Sequence, residues 1–166
     1  MLVVDFNKPG EADTWWSVDD GVMGGVSHSH LRIADGIAIF EGHTSLDNGG
    51  GFASVRRQPA PYGLEGCLGI RLSVRGDGRT YQLRLRAGAL PEGAAYRARF
   101  TTANGEWIHV ALDWPEFDPV FRGRLLSDAP ALAPADIQQI GVLIADQCAG
   151  DFRLEIASIE AIAAPV

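Results

Sequence analysis

Ile70-Arg71-Leu72-Ser73-Val74-Arg75-Gly76-Asp77-Gly78-Arg79-Thr80-Tyr81-Gln82-Leu83-Arg84-Leu85-Arg86 decides the fold class. Apolar residues alternate with arginine, serine and glutamine on both sides of a glycine-rich turn. A period of two belongs to a half-buried strand and not to a helix. Gly76-Asp77-Gly78 predicts a hairpin joining the two runs. Further along, Tyr96, Ala98 and Phe100 point one way and Arg97, Arg99 and Thr101 the other. Asn104-Gly105 predicts a second tight turn, with Ile108, Val110 and Leu112 inward on the partner strand. Gly36–Phe40, Phe52–Arg56, Ile140–Ile144 and Phe152–Ile156 read as further strands. Only Ala133–Gln139, around Pro134, suggests a helical turn. The long amphipathic helices of an α/β fold are missing. Roughly eight to ten short strands separated by glycine-rich turns predict an all-β, jelly-roll β-sandwich. Residues 1–166 form a single domain in this reading, with 125–134 as an internal loop.

The bulk numbers agree. A chain of 166 residues with 46% hydrophobic content can support one real core. Its formal charge of −7 disfavours nucleic acid as a general partner. Cys67 and Cys148 are too far apart for a redox CxxC pair or a zinc knuckle, and are expected as reduced core thiols. Met1–Phe6 has no basic segment leading into an apolar run. No stretch approaches the ~20 apolar residues of a membrane span. These features predict a cytoplasmic protein without a transmembrane segment.

Two glycine-punctuated stretches stand apart, Asp19-Asp20-Gly21-Val22-Met23-Gly24-Gly25-Val26-Ser27 and Asn48-Gly49-Gly50-Gly51-Phe52-Ala53-Ser54. Neither matches a phosphate-binding loop or a dinucleotide fingerprint. Glycine here is expected to permit positive φ, a bulge or a close backbone approach. Asp19 and Asp20 suit the capping of backbone amides better than calcium, for which no EF-hand pattern exists. Adjacent Trp15 and Trp16 must point to opposite sides of a strand, one to the core and one to a rim or groove.

Thirteen of the fourteen basic residues are arginine. By alternation, Arg71, Arg75, Arg84, Arg86, Arg97 and Arg99 are predicted to share one sheet face. Cross-strand neighbours stand about 5 Å apart, so like charges there need carboxylates, water or an anion between them. A solvated face with arginines paired to Asp77, Asp113, Asp118 or Asp151 is one reading. A concave groove for a carbohydrate, or for an acidic group on a partner protein, is the other. Lysine would satisfy solubility alone, whereas arginine adds a fixed donor fork and a planar stacking surface. Tyr62, Trp107 and one of the paired tryptophans are candidate apolar platforms.

Catalytic patterns are thin. His28 and His30 share one side of a strand but lack further ligands at metal-binding spacing. Ser27 beside His28 is not a nucleophile elbow. Asp113 and Asp146 have no spacing that sets up glycoside hydrolysis. A non-enzymatic domain with no cofactor and no metal is the expectation.

Several separated motifs resemble the complex I intermediate-associated protein 30 family. They are Trp16–Ser27, Gly42–Arg56, Val74–Tyr81, Gly105–Trp107, Phe117–Arg124 and Ile140–Gln147, in order over about residues 5 to 160. The resemblance implies a galactose-binding-like jelly roll, similar to some carbohydrate-binding modules. It implies a protein partner during assembly of a membrane-associated complex such as respiratory complex I, with a carbohydrate as the alternative ligand. Without a basic leader the chain looks like a bacterial member. Motif positions fall on Asp20, Asn48, Arg56, Arg75, Tyr81, Trp107, Arg122, Arg124, Asp146 and Gln147. Together with Trp16, Arg84 and Arg97 from the alternating strands, the polar and aromatic members of this set are the candidate ligand- or partner-binding residues. Asp19 departs from the asparagine common in look-alikes.

Overall fold

The computed structural model describes residues 1–165, with Val22 and Met23 as backbone alone. The strands are β1 (Leu2–Val4), β2 (Trp15–Ser17), β3 (His28–Ala34), β4 (Ile37–Thr44), β5 (Ala53–Arg57), β6 (Cys67–Arg75), β7 (Thr80–Ala87), β8 (Ala94–Thr101), β9 (Trp107–Asp113), β10 (Asp118–Phe121), β11 (Arg124–Leu125), β12 (Ile137–Ile144) and β13 (Gly150–Ala163). Helical structure among the described residues is limited to short 3-10 turns, one of them at Pro134–Asp136. The first sheet runs β3-β4-β13-β6-β9, with β1 also beside β13. The second runs β11-β10-β8-β7-β12-β5-β2. The all-β sandwich read from the sequence is therefore the fold.

Alternation builds the interior. Phe40, Leu72, Val74, Leu154 and Ile156 enter it from the first sheet; Val55, Leu83, Leu85, Ile140 and Val142 enter from the second. All ten are buried. Each such side chain contributes about 1.5–3 kcal/mol of transfer free energy. Phe40, Tyr81, Phe100 and Phe152 form an aromatic cluster between the sheets, with the Phe40 and Phe152 ring centres 4.9 Å apart. Cys67 and Cys148 are both free; Cys148 is exposed, contrary to the core position expected for it.

Both predicted hairpins are corners between sheets. β6 pairs with β13 and β9, whereas β7 pairs with β12 and β8. The chain thus changes sheet across Gly76–Arg79, and changes back between β8 and β9. The two corners hold each other. Gly105 N–H donates to Gly76 O at 3.0 Å, and Thr102 Oγ1 donates to Arg79 O at 2.8 Å. A Cβ on Gly76 would lie 2.3 Å from Thr102 Oγ1, so only glycine fits. Asp77 is held from far along the chain, accepting from Arg153 N–H at 2.8 Å and from the Tyr81 hydroxyl at 3.0 Å. Turn composition and strand parity are alike for a hairpin and a corner; these long-range partners decide between them.

The glycine-rich stretches wrap a buried carboxylate. Asp20 is fully buried. It accepts from Ser27 N–H (2.8 Å), Ser27 Oγ (2.5 Å) and Gly51 N–H (2.7 Å). Burial by itself would raise the Asp20 carboxyl, but these donors outweigh it and hold the group below the ordinary carboxylate range. Cβ atoms on Gly25 and Gly50 would fall 2.4 and 2.5 Å from Asp20 atoms, so both glycines permit the backbone to close around it. Asp19 likewise accepts from Ser29 Oγ and from the amides of Ser29 and Ser54. Both acids therefore cap amides, as their sequence context suggests.

Candidate functional site

The outer face of the second sheet carries a row of paired residues running across its strands. Trp16 lies opposite Arg56, Arg56 opposite Gly141, Gly141 opposite Arg84, Arg84 opposite Arg97 and Arg97 opposite Asp118. Adjacent rows place Gln139 opposite Arg86 and Leu143 opposite Gln82, with Arg99 beyond Gln82. Alternation turns these side chains outward because their neighbours fill the core. Trp15 is in the core, and Trp16, on the other side of the same strand, is 45% exposed.

This face is hollow. Gln82, Arg97 and Gln139 point outward yet are only 5%, 8% and 8% exposed. Gly141 and Ala95 leave space where side chains would otherwise stand. A small cavity of about 30 Å³ opens there, lined by Arg56, Arg84, Arg86, Ala95, Gln139 and Gly141 among others. Beyond Gln82 a second, larger hollow of about 260 Å³ is bounded by Thr80, Arg99, Asp146 and Gln147.

The electrostatics are unusual for an acidic chain. Arg56, Arg84, Arg86, Arg97 and Arg99 make no ion pair among the described residues. Arg84 donates to Gln82 Oε1 at 3.1 Å. Burial, then the nearby Arg86 charge, pulls the Arg56 guanidinium down to about 10. Burial, then the charges of Arg86, Arg97 and Arg56, brings Arg84 down to about 10. Burial also lowers Arg86, against a weaker pull from Glu92. Arg97 is lowered by burial and by Arg99, with Asp118 opposing. All remain cations at neutral pH. The fold holds positive charge in a place that disfavours it, and an anion seated there would relieve the cost.

The six predicted arginines do not share this face. Arg71 and Arg75 lie on β6 in the first sheet, because the chain changes sheet at Gly76. Arg75 is ion-paired with Glu155 and stacks over Trp107 at 5.0 Å. Of the remaining candidates, Trp16, Arg56, Arg84 and Arg97 are brought together in the row. Asp146 and Gln147 border the second hollow, with Asp146 gripped by Arg79 at 2.6 Å. Asp20 is buried away from it. Asn48 is exposed in a loop at φ 57°. Arg122 and Arg124 are exposed at the β10–β11 turn, with Arg122 over the Phe121 ring at 5.3 Å. Sequence reasoning missed Gln139, Gly141 and Leu143. Their signal was the outward parity of β12, legible only once β12 is known to lie between β5 and β7. His28, His30 and His43 sit on the first sheet, and no group of metal-ligating side chains forms among the described residues.

The family model described as complex I intermediate-associated protein 30 matches residues 4–156. The chain belongs to that family. An uncharacterised protein of Schizosaccharomyces pombe is 28% identical to it, covering 92% of this chain and 82% of that protein. The probable complex I intermediate-associated protein 30, mitochondrial, of Caenorhabditis elegans is 30% identical over 52% of this chain, a match spanning 27% of that longer protein. Among solved structures, the family 11 carbohydrate-binding module of the Clostridium thermocellum cellulosomal cellulase Lic26A-Cel5E superimposes with a TM-score of 0.68 at 15% identity. That match covers 99% of this chain and 94% of the module. At such identity the likeness concerns the fold alone, a two-sheet β-sandwich. No helix among the described residues is long and apolar enough to cross a membrane.

Proposed function

We propose that this chain is a non-enzymatic binding module whose arginine-lined face receives an acidic surface of a partner protein, in the assembly of a membrane-associated complex such as respiratory complex I. The observation that carries this reading is the cluster of Arg56, Arg84 and Arg86, half-buried around Gly141 with no carboxylate paired to it. A neutral ligand would leave those charges as they are; an acidic one supplies what the fold withholds. Family membership supplies the assembly context. A cytoplasmic, bacterial setting, with nucleic acid disfavoured by the overall charge, belongs to the same reading, although the relatives described above are eukaryotic.

The test is capture from native extract with the wild type and with Arg56→Gln/Arg84→Gln. Subunits or assembly intermediates of a membrane complex should come down with the wild type and not with the variant. Equal recovery by both would remove the face from the interaction. Recovery of the protein itself in a mitochondrial fraction would overturn the cytoplasmic setting.

A carbohydrate is the second reading, favoured by one feature: Trp16 stands exposed at the end of the row, where a ring can stack on a sugar. Glycan-array binding that disappears in Trp16→Ala, at unchanged melting temperature, would establish it over the first.

A further inference from the structure

The arginines of this face are spaced by the pleat. On β7, Thr80, Gln82, Arg84 and Arg86 all point outward. Alternate residues on a strand are about 6.6 Å apart, so this line is roughly 20 Å long. On one side β8 presents Arg97 and Arg99, again two residues apart. On the other, Gly141 of β12 separates Arg84 from Arg56. Neighbouring strands lie about 4.8 Å apart, so the space above Gly141 is within reach of both guanidiniums. Arg86 lies one outward step along β7, and its charge acts on both Arg56 and Arg84. The cluster thus offers two positive stations: one over Gly141, and one a pleat repeat farther along at Arg86.

An extended polypeptide repeats its side chains with the same pleat. Carboxylates at positions i and i+2 of such a segment stand as far apart as the two stations. A helix presents neighbours at i+3 and i+4 and does not match this line. A chain of pyranose rings has a pitch unrelated to the pleat. The trough lies on the face of the sheet, under no free strand edge, so the segment would not add as another strand. Side chains must hold it: guanidiniums for its carboxylates, and the buried amides of Gln82 and Gln139 for its main chain.

Resting on the acidic-partner reading above, we propose that the occupant is an extended segment with Asp or Glu at alternate positions, lying along β7. One carboxylate sits over Gly141 between Arg56 and Arg84, and the next one sits at Arg86. Charge complementarity argues for this occupant: the cluster is unpaired within an otherwise acidic chain. It also argues against self-association through this face, since a second copy would present the same arginines.

Two fluorescent octapeptides of equal composition test the register, one alternating Glu-Ser-Glu-Ser and one in blocks of Glu-Glu-Ser-Ser. Anisotropy with the full chain should show the alternating peptide binding about tenfold more tightly, the loss expected for one misplaced charge-assisted contact. Arg86→Gln should abolish that preference while leaving weaker, equal binding of both. Arg75→Gln, on the opposite face, should change neither. Melting curves for each variant show that the fold is intact. Equal affinity of wild type for the two peptides overturns the alternating register and leaves the acidic-partner reading standing. No binding of either, with binding of an oligoglucuronate, overturns the peptide occupant in favour of an acidic glycan. No binding of any of the three overturns both readings.

Discussion

The two outer faces of this sandwich carry arginine for the same reason, strand alternation, yet treat its charge in opposite ways. On the first sheet Arg32, Arg153 and Arg75 interleave with Glu41 and Glu155. Arg32 is the chief cause holding Glu41 below its ordinary value, and Arg75 does the same for Glu155. On the second sheet Arg56, Arg84 and Arg86 face one another around Gly141 with no such acid. Paired charge gives a self-contained surface. Unpaired charge in a hollow gives one that gains by acquiring a partner. The contrast is compressed into two consecutive residues. Arg57 turns inward to Glu11, at 2.7 Å, and its affinity for its proton rises. Arg56 turns outward to like charges, and its affinity falls.

The largest effect expected from this contrast is on stability. Arg57→Met leaves the nearly inaccessible Glu11 carboxylate without its counter-charge. Breaking such a pair costs about 3–5 kcal/mol, or roughly 10 °C in melting temperature for a domain of this size. Calorimetry of the variant checks it. A loss no greater than that of Arg56→Met would erase the distinction between the two residues.

Acid should act next. Glu11, Asp20, Glu41, Asp146 and Glu155 are all held below their ordinary carboxylate values. The folded state then releases these protons more readily than the unfolded chain. Their contribution is complete above the ordinary carboxylate range, about pH 4 to 4.5, and is lost as pH falls through the lower folded values. Melting temperature against pH should be flat above that range and fall below it. The arginine trough adds nothing to the slope, so Arg84→Gln should trace a parallel curve.

A smaller effect separates the faces by ligand. Arg84→Gln should weaken an acidic peptide about tenfold, near 1.4 kcal/mol, whereas Arg75→Gln should leave titrations unchanged. The smallest effect has the opposite sign to the first. Arg56→Met removes a half-buried charge that nothing balances, so stability should hold or rise by up to about 1 kcal/mol. A marked loss in urea titration would mean that Arg56 supports the fold through an interaction other than charge.

Much of the site was legible residue by residue. Arg84 and Arg97 follow from parity, since Leu83, Leu85, Tyr96 and Ala98 must be inside. Trp16 follows from the adjacency of the two tryptophans. Arg75 and Trp107 read the same way locally but belong to the other sheet, because a Gly-Asp-Gly corner and a Gly-Asp-Gly hairpin look alike in one dimension. Gln139 and Gly141 were invisible for a related reason. Their importance comes from β12 lying between β5 and β7, strands about 80 and 50 residues earlier in the chain. Asp20 shows the converse: its motif stands out in sequence because a buried carboxylate needs glycines around it, and the structure uses it inside the protein.

By itself the sequence determined the strand content, the side of each strand that enters the core, and the capping of amides by Asp19 and Asp20. Strand content and facing are local properties, set by period-two alternation; the capping role of the two acids follows from residue type, but the donors that fill it, Ser27, Ser29, Gly51 and Ser54, come from 7 to 35 residues away. Only tertiary structure decided which strands became neighbours, and so which arginines converge around Gly141 and which find a glutamate. Charge interacts through space rather than along the chain, and two arginines can reinforce or ignore one another according to the sheet they enter.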